Sequence, residues 1–130
     1  YDATLKLGIT NAIRTDRDLT LSNAIGINSR FDMNGYDQTI RGLINSGGTG
    51  TREVYNNASS TTSTLTVGNG GGDYSFNGVL RNNTGTGGTV GLVKTGTGNQ
   101  TLTFTNTFTG GTRIDNGTLT LGHATDTLSN

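Results

Sequence analysis

The sequence predicts an all-β fold, a single β-solenoid segment over residues 1–130, from three observations. Apolar residues alternate with threonine in Thr101–Thr105 and Thr118–Leu121, as in half-buried strands. Turn dipeptides separate short strands about every 8–15 residues, a spacing that fits either a β-sandwich or a parallel β-helix. Hydrophobic residues make up 29% of the chain. Because each solenoid coil is covered by the next, so small an apolar content favours the β-helix.

Composition and charge narrow the possible functions. Nine basic residues balance nine acidic ones, so neither a nucleic-acid nor an anionic-membrane partner is expected. Cysteine is absent, which excludes disulfides and thiolate chemistry. No apolar run approaches the roughly 20 residues of a membrane span, so membrane insertion is not expected. Without a signal peptide, and with Tyr1 as its first residue, the chain is expected to be a processed product or an excerpt.

The part of the chain before residue 91 is predicted to be short strands and loops. Asn34-Gly35 is a strong turn signal, and Tyr74–Leu80 is expected to be one strand with a bulge at Gly78. Polar loops are predicted at Asn45–Gly50, Asn56–Ser63, Asn69–Gly72 and Asn82–Gly88. The other predicted strands are Thr4–Gly8, Asp18–Leu21, Arg30–Met33, Thr39–Ile44, Glu53–Tyr55 and Leu65–Val67.

The stretch from Gly91 to Gly122 organises the rest, with short strands divided by Gly110-Gly111 and Asn116-Gly117. Its pattern consists of Leu92, Lys94, Gly96, Gly98, Leu102, Asn106–Thr112, Gly117–Leu119 and Leu121-Gly122. This pattern resembles the autotransporter-associated β-strand repeat, also called the passenger-associated transport repeat, with Phe108 where the family usually has tyrosine. The resemblance implies a right-handed parallel β-helix in secreted or surface-displayed bacterial proteins, with a structural role and no catalytic activity.

Alternation also predicts which side chains point inward and stack on residues of neighbouring coils. In the organising stretch these are Leu102, Phe104, Ile114, Leu119 and Leu121. Upstream they are Leu5, Leu7, Leu19, Leu21, Phe31, Met33, Ile40, Leu65, Val67, Phe76 and Leu92.

No catalytic residue is predicted. His123 is the only histidine and, with no cysteine, a metal site would need carboxylates alone around it, so we interpret it as a turn residue. Asp32 and Asp37 flank a turn. Glycosidic cleavage needs two carboxylates about 5–10 Å apart across a cleft, whereas aspartates in this position are typical of turns.

No metal or cofactor site is predicted either. Gly68–Asp73 partly resembles the calcium-binding nonapeptide repeat, but Asn69 and Ser75 replace expected residues and the motif shares calcium between several copies. We therefore interpret it as a glycine loop. Neither a Lys-Ser/Thr pair nor a helix follows these glycines, so they lack the parts of a phosphate cradle.

Glycan attachment is the remaining candidate modification. Sequons occur at Asn57, Asn82, Asn99 and Asn116, and Asn116-Gly117 is predicted to be a tight turn that would resist a glycan. Asn57 and Asn82 lie in predicted loops and are the better candidates. Outward-facing threonines are alternative sites for O-linked sugar.

The sequence thus predicts an extracellular or cell-surface structural β-solenoid, a rigid stalk, fibre or surface-layer element. Leu5–Gly8 echoes Leu119–Gly122, so copies of the chain or adjacent repeats of a longer chain are expected to stack end to end into a filament. The alternative is a surface adhesin or carbohydrate-binding module, which an aligned strip of Tyr36, Tyr55 and Tyr74 would favour. A polysaccharide-degrading enzyme is the third class considered.

Overall fold

A computed structural model describes residues 2–124, which form parallel sheets in stacked coils, a β-solenoid of about four turns. The described residues include no helix that could span a membrane. The strands are β1 (Ala3–Lys6), β2 (Leu19–Asn23), β3 (Ser29–Asp32), β4 (Gln38–Thr39), β5 (Leu43–Gly47), β6 (Arg52–Tyr55), β7 (Thr62–Val67), β8 (Tyr74–Phe76), β9 (Val79–Leu80), β10 (Thr89–Lys94), β11 (Asn99–Leu102), β12 (Thr112–Ile114) and β13 (Thr118–Leu121).

Each complete coil visits three faces in the same order. Face 1 contains β1, β3, β6 and β9, and face 2 contains β4, β7, β10 and β12. Face 3 contains two sheets, β2–β5 and β8–β11–β13, which meet where β5 contacts β8 without a ladder. The chain turns at three corners, which we name corner 1–2, corner 2–3 and corner 3–1 after the faces that they join.

Parallel pairing keeps equivalent residues of successive coils in register. On face 1, Ala3 pairs with Ser29, 26 residues later. On face 3, Leu102 lies between Phe76 and Leu121. Because parallel partners point the same way, a position that is inward in one coil is inward in the next.

The predicted core is largely confirmed. Among the predicted residues, Leu7, Leu19, Leu21, Phe31, Met33, Ile40, Leu65, Val67, Phe76, Leu92 and Leu102 are buried, and Leu119 and Leu121 pack against them. The prediction omitted five residues that are also buried, namely Leu43, Val54, Leu80, Val90 and Phe108.

Leu5 and Ile114, predicted to point inward and stack on neighbouring coils, are 48% and 52% exposed. Their direction is as predicted, because Leu5 pairs with buried Phe31 and Ile114 pairs with buried Lys94. Both belong to outermost described coils, so only one side of each is covered by a described neighbour.

Phe104, predicted to be inward, is 50% exposed and lies at corner 3–1. The alternation stops there because β11 ends at Leu102 and Asn106 forms the corner. The Asn106 side chain accepts the Leu80 N–H through Oδ1 and donates through Nδ2 to the Phe104 carbonyl. Phe108, after the corner, is the buried aromatic residue of this coil.

Two predicted strands each contain a corner. Thr39–Ile44 divides between β4 and β5, and Tyr74–Leu80 divides between β8 and β9. Gly78 is therefore a corner residue, not a bulge. A Cβ there would lie 2.7 Å from the Arg52 carbonyl oxygen. The predicted loops Asn45–Gly50 and Asn56–Ser63 are shorter than expected, since β5 extends to Gly47 and β7 begins at Thr62.

Candidate functional site

A buried arginine closes corner 3–1. Arg52, the first residue of β6, donates from Nη2 to Asn23 Oδ1 at 2.7 Å and to the carbonyls of Gly47 and Gly48. Within residues 2–124 no carboxylate forms an ion pair with Arg52, and its buried Nε has no hydrogen-bond partner. The Arg52 guanidinium is thus surrounded by neutral carbonyl and amide oxygens, and among residues 2–124 no carboxylate balances its charge.

At corner 2–3 a buried lysine likewise binds backbone carbonyl oxygens. Lys94 Nζ donates to the carbonyls of Thr95, Gly96 (3.0 Å) and Asn116 (3.4 Å). Burial lowers the pKa of Lys94, and the charge of Asp73 opposes that effect. These carbonyl oxygens therefore face an ammonium group of the chain itself.

Two buried glutamines replace missing ladder bonds inside the solenoid. Gln38 pairs with the backbone of Ile13, accepting its N–H at 3.0 Å and donating to its carbonyl at 2.8 Å. Gln100 does the same with Leu43, at 3.1 and 3.0 Å. A primary amide presents a donor and an acceptor side by side, so it can stand in for a peptide group where two strands do not pair.

The outer surface of face 1 carries a ladder of alternating charge across successive coils. Arg30 bridges Asp2 and Glu53, and Arg81 binds Glu53 at 3.0 Å and stacks over Tyr55 at 4.9 Å from the ring centroid. The hydrogen bond from Arg81, supported by Arg30, lowers the pKa of Glu53 against the opposing effect of burial. These pairs link neighbouring coils and engage the carboxylates of both Asp2 and Glu53.

A hollow runs along corner 3–1. It has a volume of about 370 Å³ and is lined by three successive coils, through Gly48–Arg52, Asn77–Val79 and Phe104. Half of the Phe104 side chain is open to solvent beside it. Because glycines lack side chains, the glycines along this corner leave a groove, which we call the corner groove.

The predicted candidates for metal binding or catalysis are separate from one another. His123 is exposed, with Nδ1 2.9 Å from Thr105 Oγ1, and residues 2–124 contain no group of three or more His, Cys, Asp or Glu that could hold a metal ion. Asp32 accepts the N–H groups of Asn34 and Asn57, and Asp37 accepts that of Thr64. Both aspartates hold corner backbone.

The glycine loop before Asp73 is corner 2–3 of one coil. Gly68, Gly96 and Gly117 follow face 2 in successive coils, and all have positive φ (96°, 64° and 71°), a conformation that favours glycine. Asp73 Oδ1 accepts the Asn99 N–H of the next coil at 2.8 Å. Each of these features has a structural task in closing the corner.

The three tyrosines do not form an aligned strip. Tyr36 lies at corner 1–2, Tyr55 on the outer surface of face 1, and Tyr74 begins β8 and packs against Gly42 on face 3. The feature that would have favoured the tyrosine-based binding module is therefore missing from the structure.

The candidate glycosylation sites differ in accessibility. Asn57 is exposed, and its Oδ1 accepts a hydrogen bond from Asn83. Asn82 is half-buried, with Oδ1 bound by the N–H groups of Val90 and Thr109 and Nδ2 bonded to Thr109 Oγ1 at 2.6 Å. Glycan attachment stays a prediction, and Asn57 is the more accessible of the two.

Sequence reasoning missed the buried polar side chains and the corner groove. Lys94 alternates with buried Leu92 along β10, and Gln100 alternates with Leu102 along β11. That spacing was the available signal, because polar residues in an inward alternation are expected to be buried and paired.

Comparison with known proteins identifies one repeat. Residues 92–121 match the passenger-associated-transport-repeat family, as the resemblance predicted, over less than half of the chain. Comparisons with curated proteins and with solved structures gave no match. The matched repeat runs from β10 to β13 and includes Lys94 and its carbonyl ligands. Together the repeat and the solenoid fold fit a structural element of the autotransporter-passenger type and suggest a non-catalytic role.

Proposed function

We propose that this chain is part of an extracellular or cell-surface β-solenoid that acts as a rigid stalk, fibre or surface-layer element. The observation that carries the proposal is parallel, in-register pairing on all three faces. Hydrogen bonds between coils run along the solenoid axis, so every added coil extends the same rod. The matched repeat supports a secreted or surface location.

The distribution of charge supports a mechanical role. Glu53 is bound by two arginines of neighbouring coils, and Asp18 forms a two-pronged pair with Arg41, at 2.9 and 2.8 Å. These groups stabilise coil stacking. The carboxylates of Asp32, Asp37 and Asp73 accept backbone N–H groups, which leaves them poorly suited to act as an acid and base pair.

We further propose that the outermost coils stack on like coils, of the same chain or of another copy. Leu5 and Ile114 face inward yet are about half exposed, and β1 and β13 each pair with one described strand. A further coil would cover these side chains and continue the ladders. Contact between unlike ends does not close on itself, so repeated stacking yields a filament.

The filament part is tested by sedimentation velocity over a range of concentrations, with negative-stain electron microscopy. We expect rods that lengthen with concentration. Ile114→Lys, which places a charge on the outer coil, should shorten them, whereas Ser59→Lys, in an exposed loop at corner 1–2, should not. A monomer at every concentration, or equal assembly of Ile114→Lys, would contradict end-to-end stacking.

Surface location is tested on intact source cells. An antibody against residues 2–124 should label unpermeabilised cells, and external protease should remove that labelling. Labelling that requires permeabilisation would overturn the proposed location without bearing on the filament.

A further inference from the structure

The corner groove contains a combination of groups that a stalk does not require. Phe104 is half exposed and lines a depression of about 370 Å³, which is within the usual range of small-molecule sites. Thr49, Thr51 and Asn77, which carry hydroxyl and amide side chains, are among the residues that line it. Since three successive coils contribute and coils lie about 4.8 Å apart, the groove extends for roughly 10 Å along the axis.

A positive charge lies under this groove. Arg52 lines the groove and is only 6% exposed. Within residues 2–124 it forms no ion pair. In the described part of the chain its Nε has no hydrogen-bond partner, and its Nη1 makes one long hydrogen bond, 3.4 Å, to the Asn77 carbonyl. The adjacent carboxylate, Glu53, belongs to the outer surface and is already bound by two arginines. The guanidinium therefore retains donor capacity and an unbalanced charge.

We propose that the corner groove binds an acidic saccharide of about two sugar units, such as a hexuronate disaccharide. One sugar ring packs its C–H face on Phe104, because aromatic rings present a negative face to weakly positive C–H groups. Sugar hydroxyls bond to Thr49, Thr51 and Asn77. The sugar carboxylate lies toward Arg52, since guanidinium favours carboxylate. The charge of Arg52, the short length of the groove and the presence of residues with hydroxyl and amide side chains favour this ligand over an extended apolar peptide.

The test is a calorimetric titration of the chain with digalacturonate and trigalacturonate, and with uncharged galactose oligomers of the same lengths. We expect saturable binding of the acidic sugars, weaker at higher salt because the attraction is screened. The uncharged oligomers should bind at least about tenfold more weakly, since the lost charge-assisted hydrogen bond is worth about 1.5–3 kcal/mol. Equal binding of both series would overturn the acidic specificity.

Variants locate the site. Phe104→Ala should weaken digalacturonate binding about tenfold, because an aromatic contact is worth about 0.5–1.5 kcal/mol and tenfold corresponds to 1.4 kcal/mol. Phe104→Tyr keeps the aromatic ring and should bind digalacturonate as the parent chain does. Ile9→Ala removes a comparably exposed apolar side chain, 64% exposed, outside the groove and should change nothing. Unchanged binding by Phe104→Ala, with the circular dichroism of the parent, would place the ligand elsewhere and refute the proposal.

Two further outcomes also contradict it. The first is that neither acidic nor neutral oligomers bind at millimolar concentration. The second is that Phe104→Ala abolishes self-association in sedimentation velocity while no saccharide binds, which would identify the groove as a contact between copies of the chain.

Discussion

Gln100 offers the sharpest test of how the solenoid interior is held together. Its side chain is fully buried and bonds both the N–H and the carbonyl of Leu43, at a level where β5 and β8 form no ladder. Replacing it with leucine keeps a similar volume but leaves two buried backbone groups without partners. Each such group costs about 1–3 kcal/mol. Better burial of leucine offsets about 2 kcal/mol, so the expected net loss is about 2 kcal/mol.

The assay is urea unfolding followed by far-ultraviolet circular dichroism at neutral pH. Gln38→Leu, at the other amide bridge, should lose a similar amount, and Ser75→Val, on an exposed position of β8, should change stability by less than about 0.5 kcal/mol. If Gln100→Leu were as stable as the parent chain, the hydrogen bonds of the Gln100 amide to Leu43 would contribute nothing to stability. The cost assigned to the unpaired Leu43 backbone groups would then be wrong.

Three further predictions concern packing, metal and pH. Leu102→Ala should lower the free energy of unfolding by about 2–5 kcal/mol because it opens a cavity in the core. Ile114→Ala should lower it less because that side chain is already half exposed. Equal losses for the two variants in urea titrations would contradict the coil register. Excess chelator should leave the β signal unchanged, whereas its loss would indicate calcium at Gly68–Asp73. The pKa of Glu53 is lowered in the folded state, first by Arg81, so its stabilisation is present above its ordinary pKa of 4.5 and is lost as pH falls through the lower folded value. Glu53→Gln should therefore lose less stability between pH 7 and pH 3 than the parent chain, and an equal loss would refute this role.

Several features were predictable from the sequence because they depend on local chemistry. Period-two alternation places Leu102 and Leu119 on an inward face whatever the neighbouring coil contains. Asn34-Gly35 forms a turn because both residues adopt positive φ, 49° and 83°. The repeat in residues 92–121 was recognisable for the same reason, since its glycines and apolar residues recur at short, fixed spacings.

The candidate site could not be predicted in this way because it joins residues that are distant in sequence. Gly48, Asn77 and Phe104 become neighbours in the corner groove only when three coils stack. The prediction also failed to place Phe104, because the alternation of Thr101–Thr105 carries no sign that Asn106 will turn the chain at that point.

The sequence by itself determined the β class, the inward lines of apolar residues and the turn-forming glycines, since these follow from side-chain period and backbone preference. Tertiary structure alone decided where strands break into corners and which inward polar residues are tolerated. Lys94, Arg52 and Gln100 are buried because their donors meet carbonyl and amide oxygens that include those of other coils, namely Asn116, Asn23 and Leu43 respectively. Whether a buried polar group is paired depends on the backbone and side-chain groups that other coils place beside it, and that relation exists only after the chain has wound back on itself.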